Sequence, residues 1–445
     1  MSGPKVVRIV TREEVIANCQ GYLARLDAVL ARWARDGCRT DTVTDAEVEA
    51  ARNRRDQIAA LLGEDRFLEL QKAAPQEIAF LKGDLQNRME RAAAAQARAR
   101  TIERRQEEAA ASLLKALSRQ GGDPPAPVVQ ALSDAAKGKG DVAAALRMGF
   151  AQLGAPAKDG QALRDLARRL KGDGPQRSLA DWLAAQPPSA DELALSRIET
   201  RLGEMATLGD EPGVAEFQDR LQRIKDGEDE ARRPLLMDSL GLDLAHALAR
   251  ARSLADLQSQ LDEAFAELAT LNAEAAAELK GTAQASSVEG ATSQLARLLQ
   301  AIEQHKALNA AAARRSAVLE GLASLGYEVG EELSTAWVRD GRVVLRRPAQ
   351  PGYGVEVGGG AGAERVQMRV VAFGDGAIDP VRDRDAETLW CGDVTSLQAR
   401  FAAAGTALTI EKALAIGAVP VKRCVEPEDR NAAREGPARQ SQTLT

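Results

Sequence analysis

An unbroken helical pattern constrains this chain most. Residues 84–120 contain neither glycine nor proline, which predicts one long helix. Alanine dominates one heptad register, and alanine buries little apolar area. We therefore favour an arm supported by its own helical bundle over a free-standing dimeric coiled coil. The register consists of Leu81, Leu85, Arg88, Ala92, Ala95, Ala99, Ile102, Gln106, Ala109, Leu113 and Ala116.

The composition also favours helices packed on helices. Hydrophobic residues make up 44% of the chain but aromatic residues only 3%, so a core would be built from Leu, Ala, Val and Ile. The net charge of -6 gives no global basic field that would attract nucleic acid or anionic lipid. The excess of Arg over Lys and the abundance of Ala are typical of a GC-rich bacterial gene.

The four cysteines, Cys19, Cys38, Cys391 and Cys424, form no Cys-x-x-Cys pair. This spacing predicts neither a disulfide framework nor a structural zinc site, and it fits a reducing compartment. The first ten residues are too short and too charged for a signal peptide, and no apolar run is long enough to span a membrane. We therefore expect a cytoplasmic protein with no membrane partner.

Helix starts can be read near the N-terminus. Residues 5–10 are expected to form a short strand or an extended arm. Thr11 with Glu14 then predicts a capping box and a helix, and Thr44 with Glu47 predicts a second helix. The pair is interpreted as a helical hairpin.

Glycine and proline divide the rest of the chain. The break at 121–125 separates an N-terminal helical region (1–120) from a short-helix bundle (121–235). Leucine spacing then predicts a second long helical tract (236–312), which continues toward residue 325 and is interrupted at 281–290. A C-terminal α+β module (313–425) and a disordered tail (426–445) complete the predicted domains.

Within the C-terminal module, the spacing of apolar residues changes from the period of a helix to the alternation of a strand. Residues 333–339 are predicted as a strand, Asp340 with Gly341 as a hairpin turn, and residues 342–347, 353–357 and 365–373 as three further strands. The alternation in the last of these indicates an antiparallel sheet with one buried and one wet face. Helices are predicted at 383–404 and 409–416, and an extended piece at 419–421. The predicted fold class is therefore mainly α, with a small two-layer domain of one helix, a four-stranded antiparallel sheet and helices.

This order of elements resembles the helix–four strands–helices layout of RWD-type interaction domains, which often follow coiled coils. The resemblance is one of topology, and it implies a protein-binding module.

Candidate catalytic and metal-binding residues are few. His246 and His305 lie in helical tracts without a Cys or Asp at ligand spacing, so surface positions are favoured. The glycines at 358–362 and at 374–376 lack a Gly-Lys-Ser/Thr ending and indicate turns between strands. Asp383, Asp385 and Glu387 could hold Mg²⁺ with a phosphate substrate, but stabilisation of a helix N-terminus is the favoured interpretation.

The polar face of the predicted sheet is the candidate partner-binding surface, although a merely solvated face is the favoured interpretation and a nucleic-acid-binding face is the third. It would carry Arg346, Arg365, Gln367 and Arg369 beside Glu356, with Trp337 and Tyr353 as the candidate exposed aromatics. An Arg-rich stretch at 88–105 could track phosphates, although a charged coiled-coil flank is the favoured interpretation.

The leading hypothesis is a non-catalytic scaffold or adaptor that binds an unknown protein through its helical arm and C-terminal module. A nucleic-acid-associated factor is the alternative, and an enzyme with a carboxylate/Arg site is the third. No catalytic residue, metal or cofactor is predicted. Homo-oligomers through the helical tracts, the identity of the partner and small-ligand binding by the module stay open.

Overall fold

The computed structural model describes residues 4–119, 124–153, 190–226, 231–281, 287–330, 332–359, 364–374 and 379–424. Most of the predicted break at 121–125, the glycines at 360–362, the turn at 375–376 and the tail lie outside these ranges. The described helices are α1 (Arg12–Arg39), α2 (Asp45–Gly63), α3 (Phe67–Arg119), α4 (Ala126–Ala135), α5 (Val142–Leu153), α6 (Ala190–Thr207), α7 (Glu211–Asp226), α8 (Arg233–Leu271), α9 (Ala273–Gly281), α10 (Val288–Ala323), α11 (Leu333–Asp340) and α12 (Pro380–Ala403). The described strands are β1 (Lys5–Val10), β2 (Arg342–Arg346), β3 (Tyr353–Gly358), β4 (Arg365–Phe373), β5 (Ala407–Ala413) and β6 (Lys422–Cys424). A mainly α chain with a C-terminal α+β region is thereby confirmed.

Both predicted helix starts near the N-terminus are confirmed. Thr11 Oγ1 accepts the backbone N–H of Glu14 at 3.2 Å, and Thr44 with Glu47 forms a complete capping box. Each cap satisfies donors that the first turn of a helix leaves unpaired, which stabilises a helix by about 1 kcal/mol. Helices α1, α2 and α3 then share one core, which includes Cys19, Leu26, Leu30, Trp33, Ala51, Leu70 and Leu81.

Helix α3 changes neighbours along its length. It packs first against α1 and α2, then against α6, and finally against α4 and α5. A straight helix in a bundle buries residues at a period of 3.6, so the buried positions do not follow the heptad register along the whole of α3. Leu81 and Leu113 of that heptad register are buried. At the middle of α3, however, Ala95 of the register is exposed, and Ala93 and Ala97 are buried instead. The structure therefore supports an arm embedded in a bundle.

Charged residues join the second helical tract to the first. α8 and α10 form the predicted hairpin, with the short helix α9 between them. The buried Glu263 of α8 lies 2.5 Å from Lys82 Nζ of α3, and the buried Glu267 lies 2.6 Å from Lys306 Nζ of α10. Arg314 of α10 contacts Glu14 of α1 at 3.0 Å. Because unpaired buried charge is costly, these pairs favour one arrangement of the four helices.

The sheet contains more strands than the sequence predicts. Its order is β2-β3-β4-β1-β5, and all these neighbours are antiparallel. β1 lies beside the first half of β4, where Lys5 is the partner of Met368. β6 runs parallel to the second half of β4, where Val371 is the partner of Lys422. The N-terminal strand therefore belongs to the C-terminal sheet.

Helices cover one face of this sheet, as a two-layer domain requires. The end of α10 together with α11 and α12 packs against side chains that alternate along the strands. The buried side chains of this core include Val7, Ile9, Leu322, Trp337, Val355, Met368, Trp390, Leu397 and Phe401.

Two element predictions in the module are wrong. Residues 333–339 form helix α11 and not a strand, because Leu333, Ala336 and Trp337 share one helical face that packs on the core. Gly341 ends this helix with a φ of 68° and donates its N–H to Trp337 O at 2.9 Å, so Asp340–Gly341 is a helix end.

Residues 409–416 likewise do not form the predicted helix. Residues 407–413 form strand β5, in which Leu408 and Ile410 pack against the core while Thr409 faces outward. The open edge of β1 offers this segment a hydrogen-bonding partner that no local sequence pattern reveals. The order of elements therefore departs from the RWD-like layout at both ends of the sheet.

Gly354→Ala is expected to destabilise the module by about 1–3 kcal/mol. A Cβ at Gly354 would lie 2.5 Å from the backbone oxygen of Leu345 and 2.6 Å from the Phe373 ring, so β2 or β3 must shift. Urea unfolding of both variants measures the effect. Gly358→Ala in the same strand is the matched control, because its nearest neighbour would be 3.9 Å away. Equal stability of the two variants would contradict this prediction.

Candidate interaction surfaces

The structure places the two predicted aromatics inside the module. Trp337 is only 2% exposed, and its Nε1 donates to Gly359 O at 3.1 Å. Tyr353 is buried as well, and its hydroxyl donates to Asp383 Oδ1 at 2.7 Å. Burial, followed by this hydrogen bond, raises the pKa of Tyr353 above its ordinary value. Neither ring is available to stack on a base or a partner side chain.

The other four predicted residues lie on the outer face of the sheet, opposite the helices. Each of its three arginines contacts a carboxylate that no local sequence pattern pairs with it. Arg346 contacts Glu328 at 3.1 Å and Arg365 contacts Glu411 at 2.6 Å. The outer face is therefore of mixed charge and is not a basic platform.

Arg369 belongs to a buried cluster around Glu356. Glu356 is 6% exposed, and its two carboxylate oxygens accept from Arg369 Nη2 at 2.5 Å and from Lys422 Nζ at 2.6 Å. Burial by itself would raise the pKa of Glu356, but these hydrogen bonds outweigh it and hold the pKa below its ordinary value. The cluster fastens β6 to β3 and β4, so its role is structural.

An accessible part of the outer face remains over β1, β4 and β5. Arg8 is the register partner of both Arg365 and Thr409, so these three side chains lie side by side. Gln367 is exposed next to them, and the side chain of Arg365 is 69% exposed. We call the following set the outer-face patch: Arg8, Glu364, Arg365, Gln367, Thr409 and Glu411.

The three carboxylates at the start of α12 do not converge. Asp383 is buried against Tyr353, Glu387 accepts the N–H of Gly417 at 2.6 Å, and Asp385 is exposed. The N-cap is Asp379, which accepts from two backbone N–H groups. No group of three metal-ligating side chains occurs among the residues that the structure describes. This arrangement gives no support to the predicted Mg²⁺ alternative.

The remaining candidates are dispersed. His246 is exposed on α8, while His305 is half-buried on α10. In the Arg-rich stretch of α3, Arg88 contacts both Asp84 and Glu47 at 2.7 Å, and Arg104 contacts Glu199. Arg88 and Arg104 therefore join α3 to α2 and α6.

A crevice that sequence reasoning missed opens where α1, α3, α6 and α8 meet. Its volume is about 350 Å³. Charged groups at its rim neutralise one another, since Arg252 contacts Glu204 at 2.5 Å and Arg32 contacts Asp36 at 3.4 Å. No local motif signals it, because its walls come from four separated segments. The apolar wall residues include Val29, Trp33, Leu85, Met89, Leu208 and Ala255.

Comparison with protein-family models, curated proteins and solved structures finds no match. Within the described ranges, no helix is long and apolar enough to cross a bilayer.

Proposed function

We propose that the protein is a non-catalytic adaptor that binds a partner protein through the outer-face patch. The observation that carries this proposal is the exposure of Arg8, Arg365 and Gln367 side by side on a sheet whose opposite face is sealed by helices. A rigid sheet presents such side chains in a fixed arrangement, which lowers the entropic cost of recognition. Mixed charge suits a partner surface with complementary charges.

Nucleic-acid binding remains the alternative proposal, and the paired arginines argue against it. A backbone-binding surface gains affinity by releasing counterions from many phosphates. Arg346, Arg365 and Arg369 already contact carboxylates, so each would have to exchange a protein partner for a phosphate. A mobility-shift assay at about 50 mM salt, where electrostatic contacts are strong, distinguishes the two proposals.

Arg365→Glu is expected to weaken partner binding at least tenfold, about 1.4 kcal/mol, because it places like charge opposite the partner's acidic groups. Quantitative affinity capture with the full chain measures the loss. Arg339→Glu is the matched control, since Arg339 is an exposed arginine on α11 that also contacts an adjacent carboxylate. A partner lost equally from both variants, or from neither, would sink the assignment to the outer-face patch.

The crevice supports a second candidate function, the binding of a small neutral apolar molecule. Ligand sites usually start at about 300 Å³, and a dry cavity of about 150 Å³ accepts benzene. The volume here is more than twice that of the benzene cavity, which suits a molecule of two to three rings. The neutralised rim gives no net charge to attract an ion.

Ala255→Phe is expected to weaken binding of the neutral probe N-phenyl-1-naphthylamine about tenfold or more by filling the crevice. The rise in probe fluorescence on titration is the readout. Ala249→Phe, on the exposed side of the same helix, is the control. If the probe binds both variants as tightly as the wild type, the crevice is not the site.

A further inference from the structure

Lys5 is a buried lysine with an unusual environment. It is 2% exposed and lies on the core face of β1, where its register partners are Met368 and Ala413. Its Nζ lies 3.4 Å from Cys391 Sγ and 6.0 Å from the centre of the Trp390 ring. No carboxylate of the described residues lies within ion-pair distance of this amine. The buried charged residues Glu356 and Arg314, in contrast, each have an oppositely charged partner. Burying an amine without a counter-charge is costly, so the position calls for a chemical explanation.

Cys391 supplies the second half of the arrangement. It lies on α12, directly after Trp390, at the boundary between the helical layer and the sheet. Cys391 is half-buried whereas Cys19 is fully buried, so of these two residues only Cys391 is partly open to a molecule as small as a peroxide. The other described thiols have different neighbours: Cys19 lies beside Gln71, Cys38 beside a backbone carbonyl, and Cys424 beside Glu356.

We propose that Cys391 and Lys5 form a reversible sulfur–nitrogen crosslink when the protein meets a peroxide. The peroxide oxidises the thiol to a sulfenic acid and is itself reduced to water. The neutral amine of Lys5 then attacks the sulfur, so that the S–N bond forms while the S–O bond breaks. The hydroxyl leaves with one amine proton as a second water. Thiol, amine and hydrogen peroxide thus give a sulfenamide and two waters, and a thiol reductant cleaves the S–N bond again.

The geometry suits this reaction. A separation of 3.4 Å lies within the range of about 3–3.5 Å that places reacting atoms for attack. Packing of β1 between β4 and β5 holds the amine in place, so it competes well with a second peroxide for the sulfenic acid. The crosslink would join residues 386 positions apart and fasten β1 to α12.

Mass spectrometry of the full chain tests the proposal. After exposure to hydrogen peroxide and blocking of free thiols, proteolysis is expected to yield one crosslinked peptide pair that contains Lys5 and Cys391. Its mass should equal the sum of the two peptides minus two hydrogen atoms, and dithiothreitol should separate it.

Three variants test which residues form the crosslink. Lys5→Arg and Cys391→Ser should abolish the crosslink, whereas Cys38→Ser, at an exposed thiol, should leave it unchanged. The wild-type digest decides the matter even if a variant fails to fold. Cys391 that is unoxidised, or that carries added oxygen while Lys5 remains free, overturns the proposal. A joined pair that retains one extra oxygen overturns the S–N assignment.

Discussion

Trp337→Ala is expected to lower the unfolding free energy of the C-terminal module by about 3–5 kcal/mol. The sequence predicts Trp337 on a partner-binding surface, but the structure buries it among the helices and the sheet. Truncation would leave a large cavity and would also deprive Gly359 O of its indole donor. Chemical denaturation followed by near-ultraviolet circular dichroism measures the loss.

Val338→Ala is the matched control, because this neighbouring side chain is 46% exposed and should contribute little. The stability of Trp337→Phe should lie between those of Trp337→Ala and Val338→Ala, since phenylalanine keeps most of the ring volume but lacks the indole donor. If Trp337→Ala were as stable as the wild type and instead abolished partner binding, the buried placement of Trp337 would be wrong.

Glu199→Ala is expected to cost about 3–5 kcal/mol of stability in the helical region. Glu199 on α6 contacts Arg104 on α3, and both side chains are almost fully buried. Removing the carboxylate leaves the buried guanidinium of Arg104 without a counter-charge and without easy access to water. Thermal and urea unfolding report the loss directly.

Two comparisons define this effect. Glu69→Ala removes the exposed partner of Arg66 and should change stability little, since exposed pairs are solvated before and after. Replacing Arg104 and Glu199 together by leucine should recover most of the loss, because no unpaired charge then remains. A Glu199→Ala effect no larger than that of Glu69→Ala would show that the pair is solvated.

Much of the helical structure could be predicted from local sequence patterns. Thr11, Thr44 and the absence of glycine and proline from residues 84–120 act within a few residues, so helix starts and long helices could be predicted from the sequence. Helix α11 and strand β5 could not. Each is decided by a partner distant in the chain: a core that accepts Trp337 in one case and the free edge of β1 in the other.

The candidate surfaces were harder to predict for the same reason. Exposed polar positions such as Gln367 follow from strand alternation, which the sequence shows directly. Carboxylate partners do not, because Glu411 lies 46 positions after Arg365, and Lys422 lies 66 positions after Glu356. The crevice combines segments from four helices, so no window of sequence contains it.

The interior position of β1 has a consequence for how the protein is made. β1 leaves the ribosome long before β4 and β5, the strands between which it lies. At about 5–20 residues per second, the wait is roughly 20–80 s. During that time Val7 and Ile9 lack their core neighbours, so the sheet closes only late in synthesis. The module is thus a high-contact-order unit, and its assembly is expected to be slower than that of the helices that follow β1.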